Sequence, residues 1–201
     1  MRDANHEGPF GANSLMRARL IAGAWLLLPA IVMGASIERV SPDTGLSSWK
    51  SEGDALEFEL VQVLPDYVRA SYAARGLPNA IVEKVSSYCV FGTILHNRTD
   101  KPLSYRVADW RYITADGVSH QIRTKSEWVN EWQDLGVAFR WSMLPDDQTF
   151  EVGDWGQGFT TIGLKPDSRF ALEYSWEQGG KTETRTIKEV RCAPAEVPEH
   201  K

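Results

Sequence analysis

Residues 170–192, FALEYSWEQGGKTETRTIKEVRC, carry the clearest structural pattern in the chain. Large apolar residues occupy every second position of the first half, namely Phe170, Leu172, Tyr174 and Trp176. This alternation has the period of a strand with one buried face. Gly179 and Gly180 follow, and a glycine pair favours the tight turn between two strands. We therefore predict a β-hairpin whose second strand runs over residues 182–192.

Other stretches of the sequence also have strand character. Residues 55–64, ALEFELVQVL, alternate in the same way, whereas residues 88–95, YCVFGTIL, are apolar at nearly every position. A short uninterrupted apolar run is typical of a central strand that is covered on both faces. With further strands over residues 103–114 and 137–143, about seven strands are predicted. The pattern favours an all-β fold over residues 55–192: an immunoglobulin-like antiparallel sandwich with short helical insertions.

Two stretches depart from a regular strand pattern. In residues 103–114, LSYRVADWRYIT, the apolar positions change parity, and a β-bulge near Ala108 or Asp109 would reconcile the two halves. Residues 150–164 contain four glycines, which weaken a regular strand. A looped edge is therefore predicted for that stretch.

Three short helices are predicted between the strands. Residues 66–75 and 78–85 carry apolar residues at helical spacing. Thr124 and Glu127 have the spacing of a capping box, in which two side chains satisfy unpaired N–H groups at the start of a helix. Apolar residues follow them at helical intervals, at Trp128, Trp132 and Leu135.

An apolar run near the amino terminus predicts export. Residues 20–34, LIAGAWLLLPAIVMG, follow Arg17 and Arg19 and precede small residues, which is the pattern of a secretory signal peptide. The run is shorter than the roughly 20 apolar residues of a membrane span. We therefore expect cleavage after Ser36 or one residue earlier, and no permanent membrane span. An uncleaved anchor is the alternative, and Met16 is the expected true start of translation.

The composition supports one folded domain. A chain of 201 residues with 42% hydrophobic content can build one sizeable core but is short for two. The predicted order along the chain is a signal peptide (1–36), a polar leader (37–54), the β-domain (55–192) and a flexible tail (193–201).

The two cysteines agree with export. Cys89 and Cys192 are the only ones in the sequence and both follow the predicted cleavage site. An even pair in an oxidising compartment is most simply one disulfide. A redox pair or a metal-thiolate site would favour close CxxC spacing, which is absent here. We predict a structural Cys89–Cys192 bridge and a periplasmic or secreted location.

The charge distribution excludes one class of partner. The formal net charge is −5, and no cluster of Lys and Arg interleaved with aromatic residues occurs after the apolar run. Nucleic acid binding requires a basic face that neutralises phosphates. We therefore expect no nucleic acid partner, and no motif predicts a cofactor.

The tryptophans suggest a binding function. Seven of the eight follow the predicted cleavage site, which is more than a core of this size needs. Tryptophan with one exposed edge is typical of recognition surfaces. The four least obviously internal are Trp110, Trp128, Trp132 and Trp155. Asp109 and Arg111, if paired across such a face, would orient a polar ligand or fix the register of a partner. Together these six residues predict an accessory domain that binds a protein partner or a small ligand in the cell envelope. In the alternative interpretation, the four side chains cap the ends of the sandwich.

A hydrolase is the first rival hypothesis. Four carboxylates each lie next to a tryptophan, namely Asp109, Glu127, Glu131 and Asp154. A carboxylic acid against an aromatic wall can have its pKa raised for acid catalysis. No GxSxG or HExxH motif accompanies these acids, so no catalytic residue is assigned.

A copper-handling protein is the second rival hypothesis. It would need soft ligands grouped on one loop or on facing strands. The sequence offers His96 and His120 but no His pair and no Met-rich run. A metal site would require these two histidines to meet in the fold, and no metal ligand is assigned.

Overall fold

The computed structural model describes residues 36–138 and 142–196. The predicted signal peptide, apart from Ser36, and residues 197–201 of the predicted tail lie outside the described residues. The described strands are β1 (Ser36–Val40), β2 (Ser47–Ser51), β3 (Leu56–Val63), β4 (Cys89–Asn97), β5 (Leu103–Arg106), β6 (Arg111–Thr114), β7 (Ser119–Gln121), β8 (Asp147–Phe150), β9 (Trp155–Ile162), β10 (Arg169–Gln178) and β11 (Lys181–Arg191). The described helices are α1 (Pro65–Ala73), α2 (Asn79–Ser86) and α3 (Lys125–Asp134).

The strands form two antiparallel sheets, which confirms the all-β prediction. The first sheet has the order β1-β2-β3-β4-β9. In the second, β10 pairs with β11 on one side and with β5 and β6 on the other, while β8 pairs with β5 and β7 with β6. The predicted hairpin over residues 170–192 is thus β10 and β11, and the apolar stretch at 88–95 is the central strand β4.

A three-residue insertion explains the parity change between β5 and β6. Tyr105 pairs with Trp176, and Tyr112 pairs with Leu172. Between these two pairs, β10 advances by four residues, whereas the segment that runs from β5 to β6 advances by seven. The three extra residues form a 3-10 turn, Val107–Asp109. The interruption lies where a single-residue bulge was predicted, but it is larger, and its odd length brings both halves onto the core face.

The inner faces of both sheets share one hydrophobic core. From the first sheet it takes Trp49, Phe58 and Phe91, and from the second it takes Tyr174 and Leu172, among others. The rings of Phe58 and Tyr174 stack across the interface with centroids 4.3 Å apart. The two sheets therefore pack face to face.

The three helices cover part of the outer face of the first sheet. They form a second core cluster over Val90 of β4, and their contributions include Val68, Tyr72, Ile81, Val82, Val85, Trp128 and Trp132. Helix α3 begins with the predicted capping box, since Thr124 Oγ1 accepts from the Glu127 N–H and Glu127 accepts from the Thr124 N–H. Strand β4 is apolar on both faces because one face meets the second sheet and the other meets these helices.

The predicted polar leader is part of the first sheet. Residues 36–51 form the β1–β2 hairpin, and β2 pairs with β3. Ser47 and Ser51 are buried there with Trp49 between them. Their burial is compensated, since the Ser47 N–H donates to Gln62 Oε1 and the Phe58 N–H donates to Ser51 Oγ. Short polar side chains at the buried positions are why the sequence pattern missed this strand.

Most of the glycine-rich stretch, residues 155–162, is a regular strand at the edge of the first sheet rather than a loop. Strand β9 pairs with β4 along its whole length. A Cβ atom at Gly158 would lie 2.4 Å from the backbone nitrogen of Leu144, and one at Gly156 would lie 3.0 Å from the Phe150 ring. The glycines therefore allow close crossings of the chain. A glycine count alone does not distinguish this role from loop formation.

The strand predicted over residues 137–143 is not found in its described part. Residues 139–141 lie outside the described residues, and Val137 and Ala138 are in no strand. Met143 makes a single parallel bridge to Phe159 of β9.

The predicted disulfide is present. Cys89 and Cys192 are both buried and bonded, with their Cα atoms 5.3 Å apart. The bridge joins β4 of the first sheet to the residue that follows β11 of the second. The chain just beyond it is packed rather than loose, since Ala193 is buried and its carbonyl accepts from the Asp167 N–H.

Candidate functional site

The four candidate tryptophans do not form one exposed face. Trp110, Trp128 and Trp132 are at most 1% exposed, whereas Trp155 is 59% exposed. The predicted exposure is therefore wrong for three of the four. Each of the three fills a gap between elements of the fold, so the surplus of indoles is largely used in packing.

Trp110 fills the irregular point of the second sheet. It follows the 3-10 turn, packs against Phe58 and Tyr105, and donates its indole N–H to the Ser175 carbonyl at 3.0 Å. The carbonyl belongs to β10, where the insertion interrupts the pairing with β5 and β6. Trp110 thus supplies a hydrogen bond that the strand backbone does not make.

Asp109 and Arg111 do not pair with each other. Asp109 accepts from Arg106 Nε at 2.9 Å, and Arg111 donates to the carbonyls of Ala108 and Trp110 at 2.6 and 2.7 Å. These contacts hold the inserted turn. The structure gives both residues a local role, and any ligand contact by them stays a prediction.

Trp128 and Trp132 face the first sheet from α3. The Trp128 N–H donates to Thr161 Oγ1 at 2.9 Å, and the Arg123 guanidinium lies 3.8 Å from the centre of the Trp128 ring. The Trp132 ring packs edge-on against Tyr72 of α1. The helix therefore buries Trp128 and Trp132 in the fold, whereas Leu135, the third residue of the predicted stripe, is 54% exposed.

The four tryptophan-adjacent acids have separate partners. Asp109 pairs with Arg106, Glu127 caps α3, and Asp154 accepts from the Glu151 N–H at 2.9 Å. Glu131 pairs with Lys84 at 2.7 Å and also with Arg123.

The electrostatics of Glu131 oppose a role as a catalytic acid. Burial would raise its pKa, but hydrogen bonds from Arg123 and Lys84 outweigh that effect and hold the pKa below the usual value. A general acid needs the opposite shift. No arrangement of these four carboxylates in the described residues supports the hydrolase hypothesis.

The two histidines lie far apart. His96 is opposite Trp155, at the start of β9. His120 stacks on Tyr112 at 4.9 Å, and the Tyr112 hydroxyl lies against Gly163, just past the end of β9. A strand of that length spans roughly 25 Å, so the two rings cannot share one ion. Within residues 36–138 and 142–196, no group of three or more His, Cys, Asp or Glu is placed to hold a metal.

The helices leave part of the outer face of the first sheet uncovered. Pairing places Val61, Gly92 and Phe159 side by side on β3, β4 and β9, and it places Ile94 beside Gln157 in the next row. All five point away from the shared core and are at least partly exposed, although Phe159 also packs against the helix-side cluster. We call these five residues the open face. Glu59 of β3 pairs with Ile94 in the same row and on the same face.

A groove runs between the open face and α1. Its volume is about 400 Å³, which is within the usual range for ligand pockets. Tyr67, Ser71 and Arg75 line it on the helix side, and Ser142 lines it beside β9. We call it the α1 groove. Among the described residues that line it, Arg75 is the only charged one.

Contacts at the wall of the α1 groove order its polar groups. Arg75 Nη1 donates to the backbone oxygen of Ser71 and to Ser71 Oγ at 2.8 Å. Ser142 Oγ is hydrogen-bonded to the hydroxyl of Tyr72 behind the wall. Burial raises the pKa of Tyr72 to about 12, while the bond to Ser142 and the charge of Arg75 act in the other direction. The positive charge of Arg75 therefore acts on the Tyr72 hydroxyl behind the groove wall.

An exposed aromatic residue stands at each end of the uncovered surface. Tyr67 on α1 is 62% exposed, and Trp155 lies at the other end, one row beyond Gln157. Sequence reasoning found Trp155 but missed Tyr67, Gly92 and Ile94. Tyr67 has helical spacing with Ala70 and Ala74, which predicts a shared apolar side, but the helix buries Val68 and Tyr72 instead. Gly92 resembles any glycine in a strand.

A second groove of about 320 Å³ lies on the second sheet and is polar. It is lined by Ser104, Tyr105, Arg106, Asp109, Asp147, Gln148, Thr149, Ser175, Trp176, Glu177 and Thr182. Tyr105 and Trp176 are buried, so the more exposed side chains of this groove carry a hydroxyl, an amide or a charge. It lacks the apolar floor of the α1 groove.

Comparison with known proteins gives little guidance. No family model matches the sequence, and no curated protein matches it. Among solved structures, the chain is similar to YcdA of Bacillus subtilis, a candidate lipoprotein, with 10% identity and a TM-score of 0.37. That match covers 77% of this chain and 39% of the other, so this chain spans well under half of that protein. A likeness at this level carries no argument about function.

None of the described helices has the length and the apolar composition that crossing a bilayer requires.

Proposed function

We propose that this protein is an exported binding domain and that the open face and the α1 groove form its contact surface. The buried Cys89–Cys192 bridge supports the export part of the proposal, because such bonds persist mainly in oxidising compartments outside the cytoplasm. The signal-peptide pattern of residues 20–34 agrees with it.

The strand pairing supports an immunoglobulin-like classification of the domain. In that fold, strands B and E lie in one sheet and strands C, F and G lie in the other. Here β4 pairs with β9, while β10 pairs with both β5 and β11. These strands occur in the chain order expected for B, C, E, F and G. The disulfide differs, since it joins β4 to the segment after β11 rather than strand B to strand F.

The observation that carries the binding proposal is the pair of exposed aromatic residues beside an uncovered apolar surface. Tyr67 and Trp155 are exposed beside Val61 and Ile94, two partly exposed residues of the sheet face that do not belong to the helix-side core cluster. Aromatic residues with one wet side dominate recognition surfaces, and contiguous exposed apolar area on a soluble domain generally marks an interaction site.

Paired substitutions test this proposal. The processed protein and its variants are immobilised, exposed to extract of the native cell envelope, and the retained proteins and lipids are quantified. The Tyr67→Ala and Trp155→Ala double variant should lose at least about ten-fold of the specifically retained material, because aromatic hot spots carry roughly 2 kcal/mol or more. The Leu135→Ala and Val152→Ala double variant is the matched control, since both residues are also exposed and apolar.

The control variant should retain material as the unchanged protein does. Equal losses in both double variants, or no specific retention by the unchanged protein, would contradict the proposed contact surface. Thermal unfolding of each variant shows that the domain is still folded during the assay.

A further inference from the structure

We draw no further inference here: the strongest candidate, the polar groove on the second sheet, is a group of carboxylates (Asp109, Asp147 and Glu177) among hydroxyl side chains, and nothing in the described residues shows what ligand covers it.

Discussion

At the scale of single residues, Trp110 shows how one side chain stabilises an irregular point of a sheet. The 3-10 turn Val107–Asp109 separates β5 from β6 and interrupts their pairing with β10. The indole of Trp110 covers this gap and donates to the Ser175 carbonyl. Trp110 is buried because it fills the gap that the insertion leaves. A position beside a predicted bulge therefore does not indicate that a tryptophan is exposed.

Replacing Trp110 by Phe should destabilise the domain by about 1–3 kcal/mol, because the substitution removes buried volume and the hydrogen bond to Ser175. Urea unfolding followed by circular dichroism measures the change. Trp155→Phe is the matched control and should stay within about 0.5 kcal/mol, since its side chain is mostly exposed. Equal losses for the two variants would show that Trp110 does not have the structural role described.

At the scale of elements, the sequence predicted where helices and strands lie better than which neighbours they meet. The capping box of Thr124 and Glu127 correctly placed the start of α3. The spacing of Trp128 and Trp132 correctly put them on one side of that helix. A helical period does not say whether the shared side meets solvent or the core, and here it meets the core.

Strands with buried polar residues or with several glycines were the hardest to predict. Strand β2 buries Ser47 and Ser51, so its hydropathy resembles that of a surface segment. Strand β9 carries Gly156 and Gly158 because another part of the chain crosses close by. In both strands the reason for the residue type is a contact with another segment of the chain.

The glycines of β9 and β4 should respond differently to alanine. Gly158→Ala should destabilise the domain by about 1–3 kcal/mol or more, since the new methyl group would overlap the backbone of Leu144. Gly92→Ala should be neutral or slightly stabilising, because its Cβ has space and alanine restricts the unfolded chain. Thermal unfolding of both variants provides the comparison. Similar Tm values for the two would show that residues 142–144 do not cross β9 as closely as described.

At the scale of the whole molecule, the disulfide and the two-sheet core were predictable but the binding surface was not. Two cysteines allow a single intramolecular pairing, and closing a loop of about 100 residues stabilises by roughly 4–5 kcal/mol in the chain-entropy model. The α1 groove depends on Val61, Gly92 and Phe159, which adjoin only through the strand register. Nothing in the local pattern around any of them indicates that they share a surface.

Site-specific photocrosslinking in the native envelope tests the proposed contact surface most directly. A photoreactive residue is placed at position 67 or 155 on the proposed surface, or at the exposed control positions 135 and 152. Discrete adducts should form from positions 67 and 155, and they should disappear when Gly92→Val fills the groove. Adducts that form equally from positions 135 and 152, or only from those two, would contradict the assignment of the open face and the α1 groove as the contact surface.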